Sequence, residues 1–284
     1  MAHPAFNSDS VAVITGGASG IGLAAALKFA ALGMRLVIVD RAEHKLSTAE
    51  SRLRSAGARD IITCAVDVSD RVQMETLESQ VAERFGGINI LMNNAGIGGR
   101  SSCLGHRDAW QAILGVNFHG ALLGAQIFGP GMIARGQPGA IINTGSKQGI
   151  TTPPGNPAYN VSKAALKTFT EALAHELRNT EGCQISAHLL IPGFVFTDMT
   201  GAAGKTAADK PQSAWTADQT ADFMIESMTR GDFYILCPDN DVPRKLDEKR
   251  IAWAVGDIIE NRPALSRWHP DYADAFKAFV EDEK

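Results

Sequence analysis

Tyr159 and Lys163 stand four residues apart, with Ser146 thirteen residues before the tyrosine and Asn117 earlier still. Residues at i and i+4 share one face of a helix, so the ammonium and the phenol of this pair are neighbours wherever the segment is helical. A nearby opposite charge favours the ionised form of an acid, which reads as a tyrosine prepared to give up a proton and take it back. A phenol ordinarily titrates near pH 10, so service as a base near neutrality needs a lowering of roughly 3 pH units, about 4 kcal/mol.

A second constellation lies near the start, Thr15-Gly16-Gly17-Ala18-Ser19-Gly20-Ile21-Gly22. Gly16, Gly20 and Gly22 fall where an apolar run gives way to a helical pattern. Missing side chains there let a diphosphate approach backbone N–H groups at the positive helix end, with Ser19 and Ile21 completing the turn. The spacing is G-x-x-x-G-x-G, not the generic G-x-G-x-x-G. Asp40, about twenty residues on, ends the next apolar run, where a carboxylate accepts both hydroxyls of an adenosine ribose and repels a 2'-phosphate. NAD is therefore expected over NADP, with the guanidinium of Arg41 the opposing consideration.

Taken with Asn93-Asn94-Ala95-Gly96 and Pro192-Gly193, these elements resemble the classical short-chain dehydrogenase/reductase family, in its order and over roughly residues 11 to 238. The resemblance implies hydride transfer between NAD(H) and a secondary alcohol or its ketone. Tyr159 would serve as general acid/base, Lys163 would also bond the nicotinamide ribose, Ser146 would hold the substrate oxygen and Asn117 would anchor a water. It further implies that Asp67 and Val68 touch the adenine edge, although a helix-capping Asp67 is an equal reading of the spacing. Asn94 would support the sheet, while Ala95 and Gly96 admit the cofactor. Pro192, Gly193 and Val195 belong to a segment whose backbone meets the carboxamide, and Thr197 offers a hydroxyl. The family's long helices pair across two-fold axes, so a homodimer or homotetramer is expected.

Positioning these groups requires alternating strands and helices. Apolar runs at Val11–Thr15, Arg35–Asp40, Ile61–Val68, Ile88–Met92, Ala140–Thr144, Ile185–Ile191 and Phe233–Leu236 predict seven strands buried on both faces. Helical spacing covers Ile21–Leu32, Glu43–Ala56, Val72–Phe85, Asp108–Ala134, Pro157–Asn179 and Thr216–Thr229. The expected fold is α/β: one Rossmann-like doubly wound domain over residues 1–238, with a seven-stranded parallel sheet flanked by helices. A helical C-terminal extension, residues 239–284, follows, with patterns at Val242–Glu260 and Asp271–Glu281 and aromatic residues such as Trp253 and Trp268. It packs on the body, covers the substrate mouth or docks on a neighbouring subunit.

A 284-residue chain that is 45% hydrophobic and 20% charged can bury a large core. Its net charge of minus four and pI near 6.0 present no basic field for nucleic acid or an anionic membrane. Cys64, Cys103, Cys183 and Cys237 are far apart, which fits neither a zinc site nor a disulfide framework. No metal is expected. The start has no basic segment leading into an apolar one and no eighteen apolar residues run together, so a reducing, cytoplasmic setting is expected.

The stretch from Asp198 to Ala214, rich in small residues, predicts a mobile lid. Ile150, Phe194, Phe196, Met199 and Trp215 flank it, either lining an apolar substrate cleft for an apolar or aromatic alcohol or pinning the lid to the core. Two other functions are compatible with the chain: an NADP-dependent carbonyl reductase, and a dinucleotide-sensing protein that keeps the frame without chemistry.

Overall fold

The computed structural model describes residues 3–201 and 203–282. Among them, seven strands form one sheet, β1 (Val11–Thr15), β2 (Arg35–Asp40), β3 (Ile61–Ala65), β4 (Ile90–Asn93), β5 (Gly139–Thr144), β6 (Ile185–Ile191) and β7 (Tyr234–Leu236). Their order is β3-β2-β1-β4-β5-β6-β7, every neighbouring pair parallel. The order reverses between β1 and β4, and there the strand ends open a crevice.

Side chains alternate across each strand, so every strand supplies both faces. Ala12, Ile14, Leu36 and Ile38 join one buried cluster with α1 (Gly20–Ala31), while Val11, Val13, Val37 and Val39 join another with α3 (Arg71–Phe85). The remaining helices are α2 (Glu43–Ser55), α4 (Arg107–Leu114), α5 (Gly120–Ala134), α6 (Gln148–Thr151), α7 (Pro157–Asn179), α8 (Ala217–Arg230), α9 (Arg244–Ile259) and α10 (Ala273–Glu281). Starts follow capping chemistry: Asp70 accepts from the amides of Val72 and Gln73, Asn156 precedes Pro157 at the head of α7, and Thr216 and Gln219 form a capping box on α8.

Three departures from the sequence reading bear on the site. The third strand stops at Ala65, the last residue paired with β2, so Asp67 and Val68 lie in the turn beyond it. The helix expected from Asp108 to Ala134 is interrupted by a π-helical turn, Gly115–His119, and carries Pro130 inside α5. Four-residue α6 is too short for periodicity to reveal. By length and composition Arg107–Ala134 passes for a membrane-spanning helix. Here Gly120 and Gly124 press it so close to Val68 and Asn93 that an added Cβ would fall 2.7 and 2.4 Å from their side chains.

A buried polar relay joins four elements. The Asn93 amide donates to Ala121 O at 3.3 Å and to Asn143 Oδ1 at 2.9 Å; Asn143 donates to Thr170 Oγ1 at 3.0 Å, and Thr170 to Leu166 O at 2.6 Å. A buried donor stripped of its partner loses its solvation as well as the bond. Asn143→Ala should therefore lower the unfolding free energy by about 2 kcal/mol in urea, with the denaturant slope unchanged. A midpoint equal to the parent's would show that the relay is not a structural tie.

Candidate active site

At the carboxyl ends of β1, β2, β4, β5 and β6 lies a cleft of about 530 Å³, and the glycine loop forms its floor. Gly16 and Gly20 adopt φ of +62° and +53°, where a side chain is strained, and a Cβ on Gly16 would lie 2.9 Å from the backbone of Ala95. Gly22 is a packing glycine outside the cleft lining: its Cβ would meet Gly16 O at 2.3 Å and Asn94 Nδ2 at 2.6 Å. Asn94 stitches the loop to the sheet, its amide donating to Thr15 O and Gly16 O and its carbonyl accepting from Thr144 Oγ1. Helix α1 begins at Ser19 without a side-chain cap or an acidic first turn, so its positive end is open to an anion in the cleft.

Asp40 bends back onto that loop: Oδ2 accepts from the Ala18 amide at 3.3 Å and Oδ1 from the Ala42 amide at 3.0 Å. Arg41 leans toward Asp67 at 3.9 Å. The Asp67 carboxylate accepts from the Ser69 amide and hydroxyl, stabilising its own turn, while Asp70 caps α3. Asp67 and Val68 both line the cleft. So does Lys45, which sequence reasoning missed; its 2.7 Å ion pair with Asp198 spans from α2 to the segment after β6.

Helix α7 delivers Tyr159 and Lys163 to the same side, with the Lys163 ammonium 5.7 Å from the phenol ring centre. Lys163 Nζ donates to Thr144 O at 2.7 Å, and burial draws its pKa down to about 8. Burial pushes the Tyr159 phenol up, and a hydrogen bond with Ser146 pulls it partly back. Ser146 follows β5, its hydroxyl also accepting from the Gln148 amide. The fixed charge of Lys163 does not offset the burial of the phenol. Lys163 is buried and Tyr159 partly so, and desolvation of a charged form outweighs a neighbour at this distance.

Asn117 sits in the π-helical turn, buried beneath the cleft lining. It clamps the Ile97 backbone, accepting from its N–H at 2.8 Å and donating to its C=O at 3.1 Å and to Ser162 Oγ at 3.2 Å. One extra residue in a helical turn redirects side chains, which is why such turns recur at working sites. Spacing alone could not reveal it.

The cleft is lined by Ser19, Ile21, Ala95, Gly96, Pro192, Gly193, Val195, Thr197 and Met199, as expected, but not by Ile150, Phe194, Phe196 or Trp215. Ile150 packs on Leu189, Ile191 and Leu236; Trp215 packs edge-on to Phe223. The amides of Phe196 and Trp215 bond across to Trp215 O and Phe194 O, holding the two ends of the proposed lid together. Lid residue Ala202 lies outside the described residues. Trp215 pins the segment through Phe223 and through its bridge with Val195, while the Phe194 ring is exposed.

Residues 10–208 match the family model of the short chain dehydrogenases. Galactitol 2-dehydrogenase (L-tagatose-forming) of Cereibacter sphaeroides is 38% identical over 192 residues, 66% of this chain and 72% of that enzyme. A short chain dehydrogenase/reductase from Burkholderia phymatum in complex with NAD superposes with a TM-score of 0.80 at 32% identity, over 91% of this chain and 96% of that one. L-Sorbose reductase from Gluconobacter frateurii, complexed with NADPH and L-sorbose, gives 0.70 at 30% identity, over 80% and 92%. The seven-stranded parallel frame, the glycine loop and the match over most of its length make this chain a member of the short-chain dehydrogenase/reductase family, oxidoreductases acting on alcohols and ketones.

Proposed function

We propose that this protein transfers hydride between NAD(H) and a small secondary alcohol or its ketone, with Tyr159 as the proton-transferring group. The observation that carries it is the convergence of Tyr159, Ser146 and Lys163 on the mouth of a cleft whose far end holds Asp40 and an open helix N-terminus. The cleft fits a dinucleotide: Gly16 and Gly20 leave a cradle that a Cβ would fill, and the Asp40 carboxylate sits at the loop's edge where ribose hydroxyls would meet it. When bound, the nicotinamide ring supplies the hydride site and, oxidised, a positive charge.

Each side chain then has a task. Ser146 has one hydroxyl proton, which it gives to the phenol in the free protein and to the substrate oxygen in the complex, fixing the alcohol beside Tyr159. Tyr159 takes the hydroxyl proton in oxidation and returns it in reduction. Lys163, held by Thr144 O, presents its ammonium to a ribose hydroxyl and keeps the phenolate in company. Asn117 supports the wall by fixing Ile97, with a bound water as its remaining task. Asp40 favours NAD, with Arg41 turned toward Asp67, and pairing of the long helices into a homodimer or homotetramer remains part of the proposal.

An apolar or aromatic substrate was expected from five side chains, of which Met199 alone lines the cleft. Galactitol and L-sorbose in the names of two relatives support a small polyhydroxylated alcohol instead.

Tyr159→Phe should cut turnover by about three orders of magnitude or more while leaving NADH affinity within about twofold. Retention of a tenth of the parent rate would remove Tyr159 from the chemistry. Across a panel of hexitols, small cyclic alcohols and steroid-sized alcohols assayed with each cofactor, the highest kcat/KM should fall on a small alcohol with NAD. A preference for NADP would overturn the role of Asp40.

Lys163 also predicts a stability effect. Its folded pKa, about 8, lies below the ordinary 10.5, so between those values the unfolded chain holds the extra proton and stability rises with pH. Below pH 8 the full cost persists, about 3 kcal/mol, offset by about 1 from the bond to Thr144. Lys163→Met should thus be inactive yet about 2 kcal/mol more stable at pH 7, the gap closing toward pH 10. Thermal melts of both proteins over that range check the sign; a less stable variant at pH 7 would refute it.

A further inference from the structure

Behind the nicotinamide end of the cleft lies a group of charges that the chemistry above does not use. Lys147, next to Ser146, carries its buried ammonium 2.6 Å from Asp247 on α9 and 3.2 Å from Asp239 after β7. Their side chains are 16%, 5% and 9% exposed. The charge of Arg250 also reaches Asp247. None of these lines the cleft, yet they press on a segment that does.

Pro192 and Gly193 form the wall at that end. Lys147 N donates to Pro192 O at 3.3 Å, and Phe194 N donates to Asp239 Oδ2 at 3.3 Å, so the wall is gripped on both sides of Gly193. The fit is close: a Cβ on Gly193 would stand 2.2 Å from Asp239 Oδ2 and 2.9 Å from Lys147 Nζ. Ile251, one turn on from Asp247, packs on Leu189, Ile191 and Leu236, which seats α9 against the same strand ends.

Dehydrating three charges is costly, and a buried ion pair replaced by apolar groups is often no less stable. What the cluster supplies is position. Loops after β5, β6 and β7 and the helix beyond them meet at one ammonium.

We propose that Lys147, Asp239 and Asp247 are positioning residues that set the Pro192–Gly193–Phe194 wall against the nicotinamide half of the bound dinucleotide, making α9 part of the cofactor site. This rests on reading the cleft as a dinucleotide site. The adenosine half, bounded by Asp40 and the glycine loop, lies outside the cluster's reach.

The test titrates NADH, followed by its fluorescence, and ADP-ribose, followed by calorimetry, into the parent protein, Lys147→Met, Asp247→Asn and Lys147→Arg. Loss of a charged hydrogen-bond partner should weaken NADH about tenfold in Lys147→Met and Asp247→Asn while ADP-ribose stays within about twofold, and Lys147→Arg should recover most of the NADH affinity. Equal weakening of both ligands, or no weakening of NADH, would overturn the proposal. Should Lys147→Met fail to fold by circular dichroism, Asp247→Asn, which keeps the Lys147–Asp239 pair, decides the matter by the same comparison. A parent protein that binds neither ligand would instead refute the dinucleotide reading.

Discussion

A buried positive charge organises this molecule. The Lys163 ammonium is taken out of water at the end of β5 and anchored on Thr144 O; the Thr144 hydroxyl bonds Asn94, and Asn94 bonds the backbone of Thr15 and Gly16. That ammonium is thereby continuous, through Thr144 and Asn94, with the glycine loop. Low dielectric strengthens each link and penalises any that breaks. That is why a costly ammonium can hold its place.

Close backbone approach is the complementary requirement. Gly22 lets α1 lie against Gly16 and Asn94, and Gly124 lets α5 lie against Asn93. With the strand ends drawn in this way, the polar relay from Ala121 through Asn93 and Asn143 to Thr170 sits beneath the cleft, and the π-helical turn brings Asn117 onto Ile97. The Asn93 amide N–H and the Asn143 side chain are held by these bonds, and the glycines leave little room around them.

The segment after β7 is integrated by two different means. Near the cleft it is charge, with Asp239 and Asp247 on Lys147. Farther out it is an aromatic node, where Trp253 is buried against Phe276 and Phe279, covered by Arg262, and bonded through its indole N–H to Ser266. Within the chain, this segment contacts the body through Ile251 and Asp247.

Seven strands were legible because parallel strands buried on both faces must be continuously apolar, and the Tyr159–Lys163 pairing because helical geometry places residues four apart together whatever surrounds them. Asp40 and the glycine loop were legible for the same local reason: backbone conformation and chain length to the next strand end are short-range properties. Tertiary structure alone decided the rest. Burial, which no short stretch encodes, drew Lys163 down and pushed Tyr159 up. Packing against Phe223 and against the cluster of Leu189, Ile191 and Leu236 took Trp215 and Ile150 away from the cleft where proximity in sequence had suggested lining it. Lys147 could find Asp239 and Asp247 only once β5, β7 and α9 had been brought to one end of the sheet, because an ion pair between residues about a hundred positions apart is specified by the assembled fold and not by spacing.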